Sequence, residues 1–477
     1  MHIAFVADIG GRDTYHVGDE AMLAANLQQL HRLFPASRFT LFSKDPAFSA
    51  CEYGVDAVEA LGFENLASSE DRERRLGLVG ERGGEPSIDR VAERLSSCDA
   101  LIISGGGNLA AARPNLVYER AAFCRMAGAA GVPVILLGQT IGPALSGREK
   151  ELVAEILGSA VWIGAREVYS YALACTLRQS CDAIVYQEDD ALVLDEEPLA
   201  PEQDQILRQL GDRVIGLTIH PVVDPSNGSL ALARLADQLR QIQAATSCGL
   251  VFLPHAEAAP RSGAPLGDLA IAEALARYLD GATYRILPVL KAAQAKAVYR
   301  SLEGVISSRY HPIVFGLGAG VPSLAIPTDG YTSVKLHGAL RHFGRDDDAC
   351  DWNEALGGLA GRFLEMWSGR AELSAALRRR ATAIAERAAG RWECLGRLLQ
   401  GTASTPRSGS DEVWGDLAIA LIRSRSSDAY LRMADARHIL ELERERRNAL
   451  TYIKSLEQEL GKLRRNLADA GRRGATS

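Results

Sequence analysis

The sequence of 477 residues lacks several features that would assign it to a simple class. Its eight cysteines are scattered and include no CxxC pair, which predicts free thiols in a reducing compartment rather than disulfides or a zinc site. No apolar run approaches the ~20 residues that span a bilayer, and the N-terminus has no signal-peptide pattern. We expect a cytoplasmic protein and leave open peripheral association with the inner face of the cell membrane.

An excess of positive charge is also missing. Lys and Arg number 53 against 60 Asp and Glu, and the net charge of −7 argues against a general nucleic-acid-binding protein. The chain contains no HxH or HExxH pattern, so we expect no metal site. It also contains no Walker motif and no GxGxxG fingerprint. Any anionic ligand must therefore be bound by basic groups gathered locally.

What the sequence does have is a regular alternation of strand-like and helix-like segments. The opening HIAFVAD is typical of a buried parallel strand, and AMLAANLQQLHRLF follows with helical periodicity. The alternation restarts at RVIGLTIHP, after a polar segment at 199–212 that predicts a linker with a short helix. We predict an α/β fold with two domains in series, 1–198 and 199–400, each with its own sheet, the second closing with helices rich in Ala and Arg.

The end of the chain has a different character. The small residues and proline of 401–411 predict a linker. In the helical tail, 412–477, mainly apolar residues recur at three- and four-residue steps from Ile439 to Ala470, with Arg446 the exception. This heptad pattern predicts a coiled coil that self-associates or docks a partner enzyme, although an amphipathic helix packed on the main body would give a similar pattern.

Two segments of the first half are candidate ligand sites. Asp19 and Glu20 stand at a predicted helix start after the first strand, where acidic residues either cap the helix or meet a ligand at the carboxyl edge of the sheet. Gly105, Gly106 and Gly107 follow the strand ALII directly. Three glycines either make a tight turn or let the backbone approach a ligand closely.

Basic residues follow several predicted strands. His220 and His255 each come after an apolar strand of the second half, SRYHP supplies Arg309 and His311, and Lys335 lies downstream. Parallel strands end at one edge of a sheet, so we expect these five side chains to converge. A histidine alone in such a position is more often structural, but a group with Arg and Lys favours an anion site.

The order of these motifs resembles the polysaccharide pyruvyl transferase family. The resemblance rests on HVGDEA, ISGGGNL, GQTIGP, the strand-end Arg166, and RYHP followed by GVPSLAI and Lys335, and it covers residues 1–345. It implies two Rossmann-like domains in a GT-B-like arrangement, with the acceptor on the N-terminal side. It also implies transfer of a pyruvyl group from phosphoenolpyruvate to a glycan or lipid-linked sugar, without a metal or organic cofactor.

The resemblance implies roles for individual residues. His311 matches the family's RxH histidine and is the expected general acid/base. Arg309 and Lys335 would bind phosphate or carboxylate, and Arg166 would face them across the cleft. His220, His255 and the three glycines complete the expected substrate-binding set, while Asp19 and Glu20 would orient the acceptor or brace their loop.

This chain departs from the family pattern near Thr218. Many members have an arginine after the strand that here reads GLTIHP, so a phosphate-binding cation is missing. A GT-B glycosyltransferase that uses a nucleotide-sugar would present similar basic residues, and a non-catalytic glycan-assembly protein is a third alternative. Glu167, where members often have Asp after the arginine, is a milder change.

Overall fold

A computed structural model describes residues 1–11, 14–79, 85–145, 147–220, 228–256 and 267–406. All of these lie in the first of the two units into which the chain divides, Met1–Ser427 and Asp428–Ser477. The predicted coiled coil and half of the predicted linker lie outside the described residues.

The first sheet is parallel throughout, and its strands are made of short apolar runs such as HIAFV and ALII. Its order is β3-β2-β1-β4-β6-β7-β8, with β5 beside β6. The strands are β1 (His2–Val6), β2 (Arg38–Ser43), β3 (Asp56–Glu59), β4 (Ala100–Ile103), β5 (Gly106–Leu109), β6 (Val134–Ile141), β7 (Ala160–Ala165) and β8 (Ile184–Tyr186).

Helices connect these strands, as parallel pairing requires. They are α1 (Val17–Leu33), α2 (Pro46–Tyr53), α3 (Ser69–Leu78), α4 (Pro86–Ser96), α5 (Pro114–Ala130), α6 (Gly147–Ser159) and α7 (Val168–Arg178), with a 3₁₀ turn at Phe63–Asn65. Another 3₁₀ turn, Asp190–Val193, follows β8, and α8 (Pro201–Arg208) leads to the second sheet. The short helix predicted within 199–212 is therefore confirmed.

The second sheet is also parallel, in the order β11-β10-β9-β12-β13. Its strands are β9 (Val214–Thr218), β10 (Gly249–Phe252), β11 (Tyr284–Ile286), β12 (Gly304–Ser307) and β13 (Ser323–Ala325). The helices are α9 (Gly228–Thr246), α10 (Asp268–Ala276), α11 (Ala292–Val298), α12 (Tyr310–Gly318), α13 (Gly330–His342), α14 (Trp352–Ser368) and α15 (Arg370–Leu399), with a 3₁₀ turn at Tyr299–Ser301. The predicted α/β class is confirmed.

One apolar cluster joins the two halves. Val17 and Met22 of α1 pack with Ile313 of α12, and α15 contributes Leu377 and Ile384 to the same cluster. Further along, α15 packs against the first sheet through Trp392 and Leu395. Buried apolar surface contributes roughly 25 cal/mol per Å², so this shared core holds the carboxyl edges of the two sheets towards each other.

Candidate functional site

A cavity of about 240 Å³ lies between the carboxyl edges of the two sheets. Its walls come from the segments that follow β1, β5, β9, β10, β12 and β13, and from the first turns of α1, α12 and α13. Seven of the residues predicted from the sequence line it: Asp19, Gly107, His220, His255, Arg309, His311 and Lys335. Four others lie behind its walls: Glu20, Gly105, Gly106 and Arg166.

His311 lies in the first turn of α12 and is 9% exposed. Its Nε2 points away from solvent towards Asp189, whose Oδ2 is 3.6 Å away. The other ring nitrogen, Nδ1, lies against Gly18 of α1, which also lines the cavity. The histidine of the second half is thus enclosed by two residues from the first half.

Arg309 is held by Asp268 at the start of α10. Its Nε and Nη2 donate to the carboxylate over 2.8–3.2 Å, and Asp268 Oδ2 also accepts from the backbone amides of His255 and Ala256 at 3.0 Å. Burial alone would raise the pKa of Asp268, but the Arg309 charge and these hydrogen bonds lower it below the usual range. Arg309 therefore reaches the cavity with a fixed orientation and with much of its charge compensated.

The two histidines after β9 and β10 differ in environment. His255 is buried, its Nε2 is 2.8 Å from the Tyr299 hydroxyl, and burial lowers its pKa to about 3. It is therefore neutral at physiological pH and offers hydrogen bonds rather than charge. His220 is partly exposed, with Nδ1 3.9 Å from Asp268 Oδ1.

Two cations in the cavity wall have no close carboxylate among the described residues. Lys335 Nζ is 3.4 Å from the Tyr331 hydroxyl and lies over the rings of Tyr310 and Tyr331. Arg113, just before α5, is 55% exposed in its side chain, and its nearest carboxylate is Asp8 at 3.9 Å. Together they can bind an anion without first breaking a close ion pair.

Arg166 lies behind the cavity rather than across it, contrary to the expected contact with substrate. It is fully buried, and its Nη1 donates to Asp189 Oδ2 at 2.7 Å while its Nε donates to Thr140 Oγ1 at 2.9 Å. The ring of Tyr310 covers the guanidinium at 4.3 Å. In this arrangement Arg166 contacts the site through Asp189 and through the ring of Tyr310, which lines the cavity.

The two acidic residues at the start of α1 also differ in whether they line the cavity. Asp19 lines the cavity, whereas Glu20 is buried and accepts a hydrogen bond from the Gly10 amide at 3.0 Å. Burial raises the pKa of Glu20 to about 8. Glu20 thus braces the loop between β1 and α1, which is the second of the two roles expected for this pair.

The three glycines continue towards β5 rather than forming a free loop. Gly106 begins the strand with a φ of +140°, a conformation that favours glycine. Gly107 contacts the hydroxyl of Tyr331, because a Cβ atom there would be 1.8 Å from it. Gly107 therefore allows the second half to approach the first at the cavity.

The segment around Thr218, where many family members have an arginine, does not supply a substitute for that cation. Thr218 is buried, and its hydroxyl donates to the Leu253 carbonyl at 2.7 Å. Arg113, from the other half, is the cation that sequence reasoning missed, together with the carboxylates Asp189 and Asp268. Asp189 comes three residues after the end of β8, a position that could have signalled it, whereas Asp268 and Arg113 stand at helix starts without a distinctive motif.

Comparison with known families assigns the first half of the chain. Residues 16–240 match the family model described as polysaccharide pyruvyl transferase. Over this region the chain belongs to the polysaccharide pyruvyl transferase family. The protein is therefore an enzyme, a transferase of polysaccharide biosynthesis. The match includes Asp19, the three glycines and Arg166. It ends before Arg309, His311 and Lys335, for which only the motif resemblance noted in the sequence points to the same family.

Solved structures share the fold of this pyruvyl transferase at low sequence identity. UDP-GlcNAc 2-epimerase from Neisseria meningitidis, bound to UDP-GlcNAc, has a TM-score of 0.51 at 10% identity, covering 81% of this chain and 99% of that chain. MnaA of S. aureus with UDP has a TM-score of 0.53 at 10% identity, covering 85% and 99%. HepE of Anabaena with UDP and glucose has a TM-score of 0.52 at 15% identity, covering 82% and 99%. These similarities show a GT-B-like fold.

No curated protein sequence matches the chain. Within the described part of this pyruvyl transferase, no helix is long and apolar enough to cross a membrane.

Proposed function

We propose that the enzyme transfers the pyruvyl group of phosphoenolpyruvate to two hydroxyls of a sugar, in a cell-surface polysaccharide or its lipid-linked precursor. The observation that carries this proposal is one cavity lined by His311, by Lys335, whose Nζ lies beside the Tyr331 hydroxyl, and by Arg113, whose ion pair with Asp8 is long at 3.9 Å. Phosphoenolpyruvate carries a phosphate and a carboxylate, which require cations. Its transfer also requires a proton donor.

The proposed chemistry balances without a cofactor. The methylene carbon of phosphoenolpyruvate takes up one proton and becomes a methyl group, and the adjacent carbon bonds to the first sugar hydroxyl. The bond from that carbon to the phosphate oxygen then breaks, and the second hydroxyl attacks the resulting oxocarbenium-like centre. The two hydroxyls lose two protons, one matching the proton added to carbon and one leaving with hydrogen phosphate.

His311 is the proposed general acid/base in these steps, because it lines the cavity and imidazole can exchange a proton near neutral pH. Lys335 and Arg113 would bind the anionic groups of the donor and stabilise the departing phosphate. Arg309, already paired with Asp268, would donate to the donor with fixed geometry. Asp19, on the opposite wall, would accept hydrogen bonds from the sugar hydroxyls.

Donor binding provides a direct test by thermal unfolding. Phosphoenolpyruvate at 100 times its dissociation constant should stabilise the folded enzyme by about 2.7 kcal/mol, and nucleotide-sugars such as UDP-glucose should not. Lys335→Met should weaken this effect at least tenfold in apparent affinity. Lys291→Met is the control, because Lys291 is exposed and pairs with Glu52 outside the cavity.

The opposite response would select another function. Stabilisation by UDP-sugars but not by phosphoenolpyruvate would favour a nucleotide-sugar transferase. Binding of glycan with no response to either donor would favour a non-catalytic assembly protein.

A further inference from the structure

Asp189 is a buried carboxylate to which the proposed chemistry assigns no role. It belongs to the segment after β8, in the first half of the chain, and it is 3% exposed. Its Oδ1 accepts a hydrogen bond from the Ala191 amide at 2.9 Å, and its Oδ2 accepts one from Arg166 Nη1 at 2.7 Å. Both oxygens are therefore fixed by groups that are themselves buried.

The same carboxylate faces the histidine of the other half. His311 Nε2 is buried and has no hydrogen-bond partner among the described residues, and Asp189 Oδ2 lies 3.6 Å from it. Burial alone would raise the pKa of Asp189, but His311 and Arg166 outweigh burial and hold it below the usual range, so the carboxylate is ionised. An ionised carboxylate accepts hydrogen bonds and cannot donate one.

We propose that Asp189 is a positioning residue, which keeps the proton of neutral His311 on Nε2 and leaves Nδ1 towards the cavity. Arg166 supports it by holding the carboxylate in place. The catalytic meaning of this inference rests on the role proposed for His311. Hydrogen bonds of catalytic groups are often long in unliganded enzymes and shorten in the complex.

The role proposed for Asp189 also connects two predicted site residues, Arg166 and His311, that come from different halves of the chain. Arg166 reaches His311 through Asp189, so the strand-end arginine of the first half acts on the histidine of the second without contacting substrate. The acid/base unit is then complete only when both halves of the chain contribute to it.

The test uses the full chain and two measurements. In the first, the protein is labelled with ¹⁵N-histidine, and the His311 signals are assigned by comparison with His311→Gln. Neutral His311 in the wild type should carry its proton on Nε2. This measurement needs neither donor nor acceptor, so it remains valid if the proposed function is wrong.

The second measurement compares Asp189→Asn with the matched control Asp190→Asn. Asp190 is the adjacent buried carboxyl, its pKa is raised by burial to about 7, and it does not contact His311, so an amide resembles its neutral form. Asp189→Asn can present its amide N–H to Nε2 and move the histidine proton to Nδ1. We expect kcat for phosphate release to fall by about 10²–10⁴-fold with KM nearly unchanged.

Several outcomes would overturn the inference. A wild-type proton on Nδ1 would do so without any variant. So would a kcat of Asp189→Asn within twofold of the wild-type value. Equal losses of kcat in Asp189→Asn and Asp190→Asn would point to a structural role shared by both carboxyls. If Asp189→Asn does not fold, the wild-type tautomer decides alone.

Discussion

At the scale of single residues, the site depends on the glycine at position 18, which has no side chain. Gly18 of α1 lies directly against the ring of His311, and a Cβ atom at Gly18 would be 1.7 Å from His311 Nδ1. No rotation of the alanine could relieve such a contact, so the histidine ring itself would have to move. The glycine in HVGDEA therefore serves the residue on which the proposed chemistry depends.

We predict that Gly18→Ala lowers kcat/KM for phosphate release by about 100-fold, because a displacement of about 1 Å at a reacting group costs roughly that factor. The measurement is steady-state kinetics with phosphoenolpyruvate and acceptor. Gly128→Ala in α5 is the control, because a Cβ atom there meets nothing within 4 Å. Activity retained in Gly18→Ala would show that His311 is not confined as described.

At the scale of elements, the start of α10 organises the second wall of the cavity. Asp268 there accepts hydrogen bonds from Arg309 and from the amides of His255 and Ala256. Because the carboxylate is almost fully buried, its partners have no water to replace it. One side chain at the start of α10 thus fixes both the segment after β10 and the segment after β12.

Asp268→Asn should therefore reduce the free energy of unfolding by about 2–4 kcal/mol, since it removes the buried charge that compensates the partly buried Arg309. Urea denaturation measures this loss. Asp237→Asn in α9 is the control, because Asp237 forms an exposed pair with Arg240 and should change stability by less than about 0.5 kcal/mol. An equally small change in Asp268→Asn would contradict the organising role.

The loop between β1 and α1 should make stability depend on pH. Burial raises the pKa of Glu20 from 4.5 to about 8, so between these values the folded state binds more protons than the unfolded state. The contribution of neutral Glu20 is intact below pH 4.5 and is lost progressively as the pH rises towards 8. Glu20→Gln, which stays neutral, should gain about 3–4 kcal/mol relative to wild type between pH 5 and pH 8.

Unfolding by urea at both pH values measures this difference. Glu93→Gln, on the exposed surface of α4, is the control and should track the wild type. A constant difference between Glu20→Gln and wild type would contradict the burial of an uncompensated carboxyl.

The alternation of apolar strands and helices was enough to predict the α/β class, because burial on both faces leaves a direct mark on sequence. Convergence of His220, His255, Arg309, His311 and Lys335 on one wall followed from parallel strands ending at one edge. Arg166 was misplaced because a strand-end position does not reveal which side chains lie in front of it. Asp268 and Arg113 were missed because helix starts carry charged residues for many reasons.

At the scale of the whole molecule, the two halves share one apolar core, and α15 packs on both. The predicted coiled coil beyond it lies outside the described residues, and we propose that it mediates self-association. Leu456→Asp with Leu460→Asp should then convert an oligomer into a monomer, measured by light scattering, without changing phosphate release. Glu457→Ser, between the predicted seam positions, is the control. A monomeric wild-type chain would contradict this proposal.

The most direct measurement of the central claim is product formation by the purified enzyme. The enzyme is incubated with phosphoenolpyruvate and candidate lipid-linked sugars. Phosphate release is followed, and the mass of the sugar product is measured by mass spectrometry. We predict one phosphate released per sugar modified and a mass gain of one pyruvic acid less one water, both abolished in His311→Gln. Absence of phosphate release across acceptors, or an unchanged rate in His311→Gln, would contradict it.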